Sequence, residues 1–273
     1  MSEQVRIAIA GAGGRMGQTL IEAVLATPDL ALGAAIDVAS CGLIGRDAGE
    51  RFGRATGVIV GSDVASAIGA ADVLIDFTRP AGTMVQIATC AKAGVAAVIG
   101  TTGLSQPDRR ALDDFARAIP IVYAPNMSVG VTVLTKLVEI AAQRLGNDYD
   151  IEIVEMHHRH KVDAPSGTAL KLGETAATAL KRSLETDGVY ARHGVTGERK
   201  AGTIGFATLR GGDVVGDHTV IFAGDGERVE LTHRASSRMN FAQGALRAAR
   251  FVAARRAQRQ AGMFDMQDVL GLR

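Results

Sequence analysis

Residues 157–161 of the chain read His-His-Arg-His-Lys and bring three imidazoles, a guanidinium and an ammonium group into five consecutive positions. Histidine changes its charge near neutral pH, and both histidine and lysine can deliver a proton to a reacting group. A proton donor is what hydride addition to a C=C or C=N bond requires. The segment is therefore a candidate site for general acid and base chemistry.

Other interpretations of this basic cluster are a metal site, a nucleic-acid patch and a solvated loop. His158 and His160 would lie on one side of an extended segment, as in some metal sites. The interleaved Arg159 and Lys161 disfavour a cation, and no H-E-x-x-H pattern or cysteine pair accompanies them, so we expect no metal. The cluster is short and lacks aromatic residues, which disfavours nucleic acid.

An anion site is the interpretation that we favour, because Asp163-Ala-Pro and then Ser166-Gly167-Thr168 follow the cluster and begin a predicted helix. Ser166 is a good helix N-cap, and Gly167 and Thr168 would present backbone N–H groups to a ligand. A helix N-terminus stabilises a carboxylate, and basic side chains nearby add charge-assisted hydrogen bonds. The expected partner is a small substrate with more than one carboxylate.

A second candidate site is the glycine loop near the start of the chain, where VRIAIAGAGGRMGQTL predicts a strand, a loop and a helix. Gly11, Gly14 and Gly17 give G-x-x-G-x-x-G, a variant of the dinucleotide-binding fingerprint. The loop would place a pyrophosphate against the backbone at a helix N-terminus. Asp37 ends the next predicted strand, and its carboxylate can accept hydrogen bonds from the adenine ribose hydroxyls.

Asp37 also bears on the choice between NADH and NADPH. A carboxylate repels the 2′-phosphate of NADPH, whereas a neighbouring arginine would attract it. Val38 follows Asp37 and carries no charge. The sequence therefore favours NADH, with NADPH as the alternative.

Three further loops follow predicted strands in the first half of the chain. They are DFT (76–78), GTTG (100–103) and APNMS (124–128). In a doubly wound sheet, ligands bind outside the carboxyl ends of the strands, so these loops are expected at the cofactor edge.

The surrounding pattern predicts an α/β protein. Near-continuous apolar strands alternate with helices up to Asn126, which indicates a Rossmann-type doubly wound parallel sheet. Beyond it we expect a central α+β domain with an open mixed or antiparallel sheet, in which residues 202–235 form an antiparallel meander with a hairpin at 224–226. The predicted domains are 1–127 with 240–273 and 128–239, and a partner subunit would cover the open sheet.

Composition limits the class of protein. The formal net charge is +1, so no general attraction to nucleic acid or to an anionic membrane is expected. Cys41 and Cys90 are the only cysteines, which indicates a reducing compartment. No signal peptide or run of about 18 apolar residues is recognisable. We expect a cytoplasmic protein that binds neither a membrane nor nucleic acid.

The strings GAGGRMG (11–17), DFT, GTTG and above all HHRHKVDAPSGTA (157–169) resemble the dihydrodipicolinate reductase family, also called the 4-hydroxy-tetrahydrodipicolinate reductases. The resemblance runs in order over essentially the whole chain. It implies NAD(P)H-dependent reduction of the dihydrodipicolinate skeleton to tetrahydrodipicolinate, in the diaminopimelate route to lysine. It also implies a homotetramer assembled through the central sheets.

The resemblance assigns roles by position. It implies a general acid/base at His157, a proton donor at Lys161, a substrate contact at His158 and a carboxylate cradle at Ser166–Thr168. The implied cofactor contacts lie in the glycine loop, after the second strand and in two later loops: Gly11, Ala12, Gly13, Gly14, Arg15, Met16, Asp37, Gly100, Thr101, Thr102, Ala124, Pro125, Asn126 and Met127.

Two other functions remain open from the sequence. Another small-molecule dehydrogenase with the same domain plan would share the glycine loop but has no need of the 157–169 string. A non-catalytic dinucleotide sensor would need the first domain but no proton donors. NADH oxidation distinguishes the sensor from an enzyme.

Overall fold

The structure, a computed structural model, describes residues 4–273 and divides them into two compact units. The first unit extends to Val129 and includes Arg238–Arg273, and the second is Gly130–Ser237. Their boundaries fall at 129 rather than the predicted 127 and at 237 rather than the predicted 239.

The first unit begins with alternating strands and helices. Up to residue 123 its elements are β1 (Val5–Ala10), α1 (Arg15–Leu25), β2 (Leu30–Ile36), β3 (Val60–Gly61), α2 (Val64–Gly69), β4 (Val73–Asp76), α3 (Pro80–Ala93), β5 (Ala96–Ile99), α4 (Gln106–Phe115) and β6 (Pro120–Tyr123).

The second unit contains the remaining mixed segment. Its first helix, α5 (Val129–Leu145), begins at the last residue that the first unit contributes before the boundary. The elements that follow are β7 (Asp150–His157), α6 (Gly167–Ala179), α7 (Leu184–Asp187), β8 (Gly188–Val189), β9 (Ile204–Arg210), β10 (Gly216–Gly224) and β11 (Glu227–Ala235). The chain then returns to the first unit with α8 (Met239–Ala257), β12 (Gly262–Phe264) and α9 (Met266–Leu270).

The sheet of the first unit is parallel and is covered on both faces. Its strand order is β12-β6-β5-β4-β1-β2-β3. Along β1, Ile7 and Ile9 pack in the core that includes residues of α1 and α8, while Ala8 and Ala10 pack in the core on the other face. Burial on both faces explains why the strands are almost continuously apolar. The predicted Rossmann-type sheet is confirmed, although the short strands β3 and β12 were not predicted.

The sheet of the second unit is mixed, in the order β11-β10-β7-β9-β8. β10 pairs antiparallel with β11 and with β7, whereas β9 pairs parallel with β7. The predicted open mixed sheet is confirmed, and so is the hairpin, in which Gly224 pairs with Glu227. The antiparallel meander over 202–235 is wrong, because β7 lies between β9 and β10.

The side chains of β7 alternate between the two faces of its sheet, and this alternation determines which of them enter the core of the second unit. Ile151 and Ile153 are buried in the core formed with α5 and α6. Every second residue of a strand points to the same side, so Glu155 and His157 continue the same row. They are buried as well. The apolar core therefore ends in a polar group of side chains at the end of β7.

No helix in residues 4–273 is both long enough and apolar enough to cross a membrane.

Candidate functional site

The glycine loop of the first unit has the close packing that a dinucleotide fingerprint needs. A Cβ on Gly17 would lie 2.0 Å from the carbonyl oxygen of Gly11, so only glycine lets α1 begin so close to the end of β1. The N-cap of α1 is Gly14, which has no side chain to occupy the first-turn N–H groups. Those groups have no acceptor within the helix and form an anion site of the kind that binds a pyrophosphate.

Asp37 lies directly after β2 and its carboxylate contacts the glycine loop. Oδ2 accepts a hydrogen bond from the Gly13 N–H at 2.7 Å, and Oδ1 accepts one from the Val38 N–H at 2.7 Å. Each carboxylate oxygen has two acceptor positions, so both retain one. The carboxylate therefore fixes the loop and can still accept bonds from ribose hydroxyls.

The ends of β4 and β5 are joined by a buried polar network. Asp76 Oδ1 accepts hydrogen bonds from the Thr78 N–H at 2.7 Å and from the Thr101 hydroxyl at 3.4 Å, and Thr83 donates to Thr101 at 2.8 Å. Burial raises the pKa of Asp76 above its ordinary value, although these bonds oppose the rise. The hydroxyl of Thr101 thus serves the protein interior, and Thr102 is the exposed hydroxyl of the loop.

The predicted cofactor loop at 124–127 likewise contains both exposed and buried residues. Pro125 is exposed and Asn126 is half-buried, with its Oδ1 accepting the Ser128 N–H at 2.9 Å. Ala124 and Met127 are buried within the core of the first unit. Met127 is 0% exposed, so the structure places it in the core of the first unit and not on an open surface.

A nicotinamide dinucleotide fits the residues of this edge. The loop 11–14, the uncapped start of α1 and the Asp37 carboxylate lie at the carboxyl ends of β1 and β2, and the 100–102 loop follows β5 at the same edge. This is the position at which doubly wound sheets bind their ligands.

The candidate proton-transfer site belongs to the second unit and is centred on His157, the last residue of β7. Its Nδ1 lies 2.6 Å from Oε2 of Glu155, a carboxylate with 1% of its side chain exposed. Arg210 at the end of β9 contacts both oxygens of Glu155, at 2.8 and 3.0 Å. Burial raises the pKa of Glu155, but the hydrogen bonds from Arg210 and His157 outweigh burial and hold it below its ordinary value.

A second buried histidine, His218 of β10, packs edge to face with His157 at 5.1 Å between ring centroids. Its Nε2 lies 3.0 Å from the hydroxyl of Ser166. Burial and the neighbouring His157 lower the pKa of His218 to about 4. His218 is therefore neutral at physiological pH, whereas His157 has a carboxylate partner.

Lys161 has a carboxylate partner of its own. Its Nζ lies 2.7 and 2.9 Å from the two oxygens of Asp163. This hydrogen bond from Lys161 lowers the pKa of Asp163. The contact holds the ammonium group in the segment between β7 and α6.

The predicted carboxylate cradle is the start of α6. Ser166 is the N-cap, and its hydroxyl accepts the Ala169 N–H at 3.2 Å. Gly167 is exposed and a Cβ there would meet nothing within 4 Å, so the first turn is open to a ligand. His158 is half-buried and precedes this segment in the chain, and its backbone N–H donates to the Val214 carbonyl oxygen at 2.7 Å.

Glu155, Arg210 and His218 belong to this site but have no role predicted from the sequence. The sequence does indicate the place of Glu155, because strand alternation puts it on the same side as Ile151 and Ile153, two residues before His157. Arg210 and His218 lie 55 and 52 residues from their contacts Glu155 and Ser166, so their roles depend on strand pairing.

Gly216 is a further residue that the sequence did not single out. A Cβ at this position would lie 3.0 Å from Nε2 of His157. Glycine here leaves room around the ring nitrogen that faces away from Glu155.

Family models match nearly the whole chain. The model described as dihydrodipicolinate reductase, N-terminus, matches residues 5–127. The model described as dihydrodipicolinate reductase, C-terminus, matches residues 130–270.

Individual proteins agree with these matches. A 4-hydroxy-tetrahydrodipicolinate reductase of Aromatoleum aromaticum is 59% identical over 269 residues, covering 98% of this chain and 96% of that protein. One of Dechloromonas aromatica is 59% identical over 268 residues, covering 98% of each. The solved dipicolinate-bound dihydrodipicolinate reductase from Paenisporosarcina sp. TG-14 has a TM-score of 0.75 at 23% identity, over 97% of this chain and 99% of that one, which shows the same fold. The predicted family is confirmed: the chain belongs to the dihydrodipicolinate reductase family and is an NAD(P)H-dependent oxidoreductase.

Proposed function

We propose that this protein reduces 4-hydroxy-tetrahydrodipicolinate (dihydrodipicolinate) to tetrahydrodipicolinate in the diaminopimelate route to lysine. The observation that carries the proposal is the pairing of His157 with a buried carboxylate, next in the chain to a helix N-terminus suited to a substrate carboxylate. The family relationship supplies the substrate, since close relatives have the name of this reductase.

The cofactor would be held by the first unit. The loop 11–16, Asp37 and the loops at 100–102 and 124–127 are the proposed contacts. When bound, the reduced nicotinamide supplies a hydride to the substrate. The protein residues bind and orient the cofactor and leave the proton chemistry to the second unit.

His157 is the proposed general acid. Its Nδ1 faces Glu155 at 2.6 Å, which leaves Nε2 to hold the proton that the substrate takes. Lys161 is the second proposed proton donor, and Asp163 keeps its side chain near the cluster. Both groups would place positive charge near an anionic substrate.

The substrate carboxylates would bind at the start of α6 and beside His158. N–H groups of a first helical turn favour an anion by about 0.3–1 kcal/mol, and more when partly buried. Ser166 fixes this turn, and Gly167 and Thr168 line it. The solved relative that binds dipicolinate, a compound with two carboxylates, supports a substrate of this class.

NADH is the proposed preferred cofactor, because Asp37 would repel the 2′-phosphate of NADPH. Catalytic efficiency measured with each cofactor tests this preference. A higher kcat/KM with NADH is expected, and a clear advantage for NADPH would contradict it.

A homotetramer assembled through the sheet of the second unit is the proposed assembly. The face of this sheet opposite α5 and α6 carries Val154, Met156, Leu209 and Ile221, and Leu209 is 44% exposed. Sedimentation of the protein tests the assembly, and a monomer at micromolar concentration would contradict it. The proposed location is the cytoplasm, and it is supported by the two free cysteines, Cys41 and Cys90.

The function is tested by NADH oxidation on addition of freshly made product of the preceding synthase reaction. Oxidation that depends on the synthase product and is inhibited by pyridine-2,6-dicarboxylate is expected. Binding of NADH without oxidation would contradict the proposal and favour a dinucleotide sensor.

A further inference from the structure

Glu155 is an unusual member of the second core because it is a carboxylate in a row of inward-facing residues. Ile151 and Ile153 precede it in that row, and 1% of its side chain is exposed. A buried carboxylate is strongly unfavourable unless it is paired and hydrogen-bonded. The contacts of Glu155 must therefore explain why it is there.

Glu155 accepts four hydrogen bonds that link three elements. Oε2 lies 2.6 Å from His157 Nδ1 and 2.8 Å from Arg210 Nη1. Oε1 lies 3.0 Å from Arg210 Nη2 and 3.0 Å from the Ser166 N–H. One carboxylate thus touches the proposed general acid, the N-cap of the proposed carboxylate seat and an arginine.

Arg210 extends the network to the second proposed proton donor. Its Nη2 also donates to the carbonyl oxygen of Asp163. The carboxylate of Asp163 in turn holds Lys161. Arg210 therefore connects Glu155 with the segment that carries Lys161.

We propose that Glu155 and Arg210 are a pair of positioning residues, which hold His157, Lys161 and the first turn of α6 in the arrangement that the reaction needs. This role rests on the proposed function, because it acts through the proton donors and not on the reacting atoms. The carboxylate fixes the protonated ring nitrogen as Nδ1, so that Nε2 is the nitrogen that exchanges a proton with the substrate.

The pair also sets the charge around His157. The titratable groups in contact with His157 are Glu155 on its own strand and His218 on β10. Arg210 on β9 contacts Glu155, and the Lys161–Asp163 pair lies in the segment that follows β7. His233 on β11 lies opposite His218 in the register of the two strands. Removing the charge of Glu155 would leave Arg210 near the imidazole without its carboxylate partner.

A purely structural ion pair is the alternative role, and the same strand supplies a control for it. Glu152 lies on β7 on the opposite face, where Arg192 contacts it at 2.8 Å and Arg199 at 2.9 Å. Glu152→Gln removes the same charge from the same strand. It touches neither His157 nor Ser166.

The experiment compares Glu155→Gln with Glu152→Gln in the coupled NADH assay. A glutamine amide would donate to Nδ1 and select the other tautomer of His157, so we expect kcat to fall about 10²-fold with unchanged NADH affinity. Glu152→Gln should stay within about threefold of the wild-type kcat, the scatter of a site with no role in the reaction.

Two further variants separate positioning from folding. Arg210→Lys keeps the charge but loses the fork that holds both oxygens, and we expect about a tenfold lower kcat with a folded protein. In a His157→Asn background, Glu155→Gln should cost clearly less than in the wild-type background, because the part of its effect that passes through His157 is already lost. Equal losses in both backgrounds, or equal losses from Glu155→Gln and Glu152→Gln, would overturn the proposal.

The ring nitrogens of His157 give a readout that is independent of turnover. Their ¹⁵N chemical shifts should report Nδ1–H in the wild-type protein and its loss in Glu155→Gln. An unchanged tautomer in the variant would overturn the proposal. Should the wild-type protein oxidise no NADH with the synthase product, the proposed function fails, and this spectrum still decides whether Glu155 orients the imidazole.

Discussion

The starts of α1 and α6 are both prepared for an anion, but they are prepared differently. Gly14 begins α1 and has no side chain, so all the first-turn N–H groups stay outside a capping bond, as suits a pyrophosphate. Ser166 begins α6 and its hydroxyl accepts a hydrogen bond from the Ala169 N–H, which leaves fewer first-turn N–H groups for an anion. Glu155 of β7, which is paired with Arg210 of β9, and His218 of β10 contact Ser166 at the start of α6.

The difference indicates how each site responds to change. Backbone groups and a close glycine contact form the loop before α1, so a change of shape should damage it. Ion pairs and the neutral imidazole of His218 form the site before α6, so a change of charge or pH should damage it. A change confined to one of the two sites should therefore leave the other intact.

The largest effect is expected from His157→Asn. Asparagine can still donate to Glu155 but cannot transfer a proton, so turnover should fall by about 10³-fold, within the range of acid–base groups. NADH affinity should be unchanged, because the first unit holds the cofactor. Stopped-flow turnover and an NADH titration measure the two effects. Near-normal turnover would remove His157 from the mechanism.

The next largest effect is expected in the stability of the two units, which should change in opposite directions as the pH falls. The pKa of His218 is lowered to about 4 by burial, against about 6.5 for an unfolded chain. Between these values the unfolded state binds more protons, so stability is lost as the pH falls from about 6.5 to 4. At about 1.4 kcal/mol per unit the loss is about 3 kcal/mol. Asp76 in the first unit has the opposite sign, because its raised pKa favours the folded state as the pH falls towards its ordinary value.

Hydrogen exchange of the β10 and β1 amides at pH 7 and pH 4.5 measures the two units separately. We expect protection in β10 to decrease and protection in β1 to be retained. Replacing the exposed His193 by Gln is the matched control and should leave the acid response unchanged. A His218→Gln variant that keeps the full acid response would contradict the assignment to His218.

The two sites also differ in how far sequence could predict them. The glycine loop is contiguous, and Asp37 follows at a fixed distance, so the dinucleotide edge was readable from spacing alone. Within the second site, His157 to Thr168 was readable for the same reason. Arg210 and His218 were not, since their places depend on β7 lying between β9 and β10. Strands that follow one another usually pair, and the predicted meander relied on that rule.

The smallest effect is expected from Gly17→Ala, which tests the glycine loop alone. The new Cβ would lie 2.0 Å from the Gly11 carbonyl oxygen, so α1 must move away from the loop. We expect the Kd for NADH to rise about 30-fold, equivalent to about 2 kcal/mol, within the range of overpacking costs. Gly69→Ala in α2 is the control, because nothing lies within 4 Å of that Cβ. At saturating NADH, kcat and its pH profile should stay near wild type, since His157 and Glu155 are untouched. Wild-type NADH affinity in Gly17→Ala would show that the cofactor site does not depend on the close glycine contact. A shifted kcat pH profile would show that the cofactor site and the proton-transfer site are not independent.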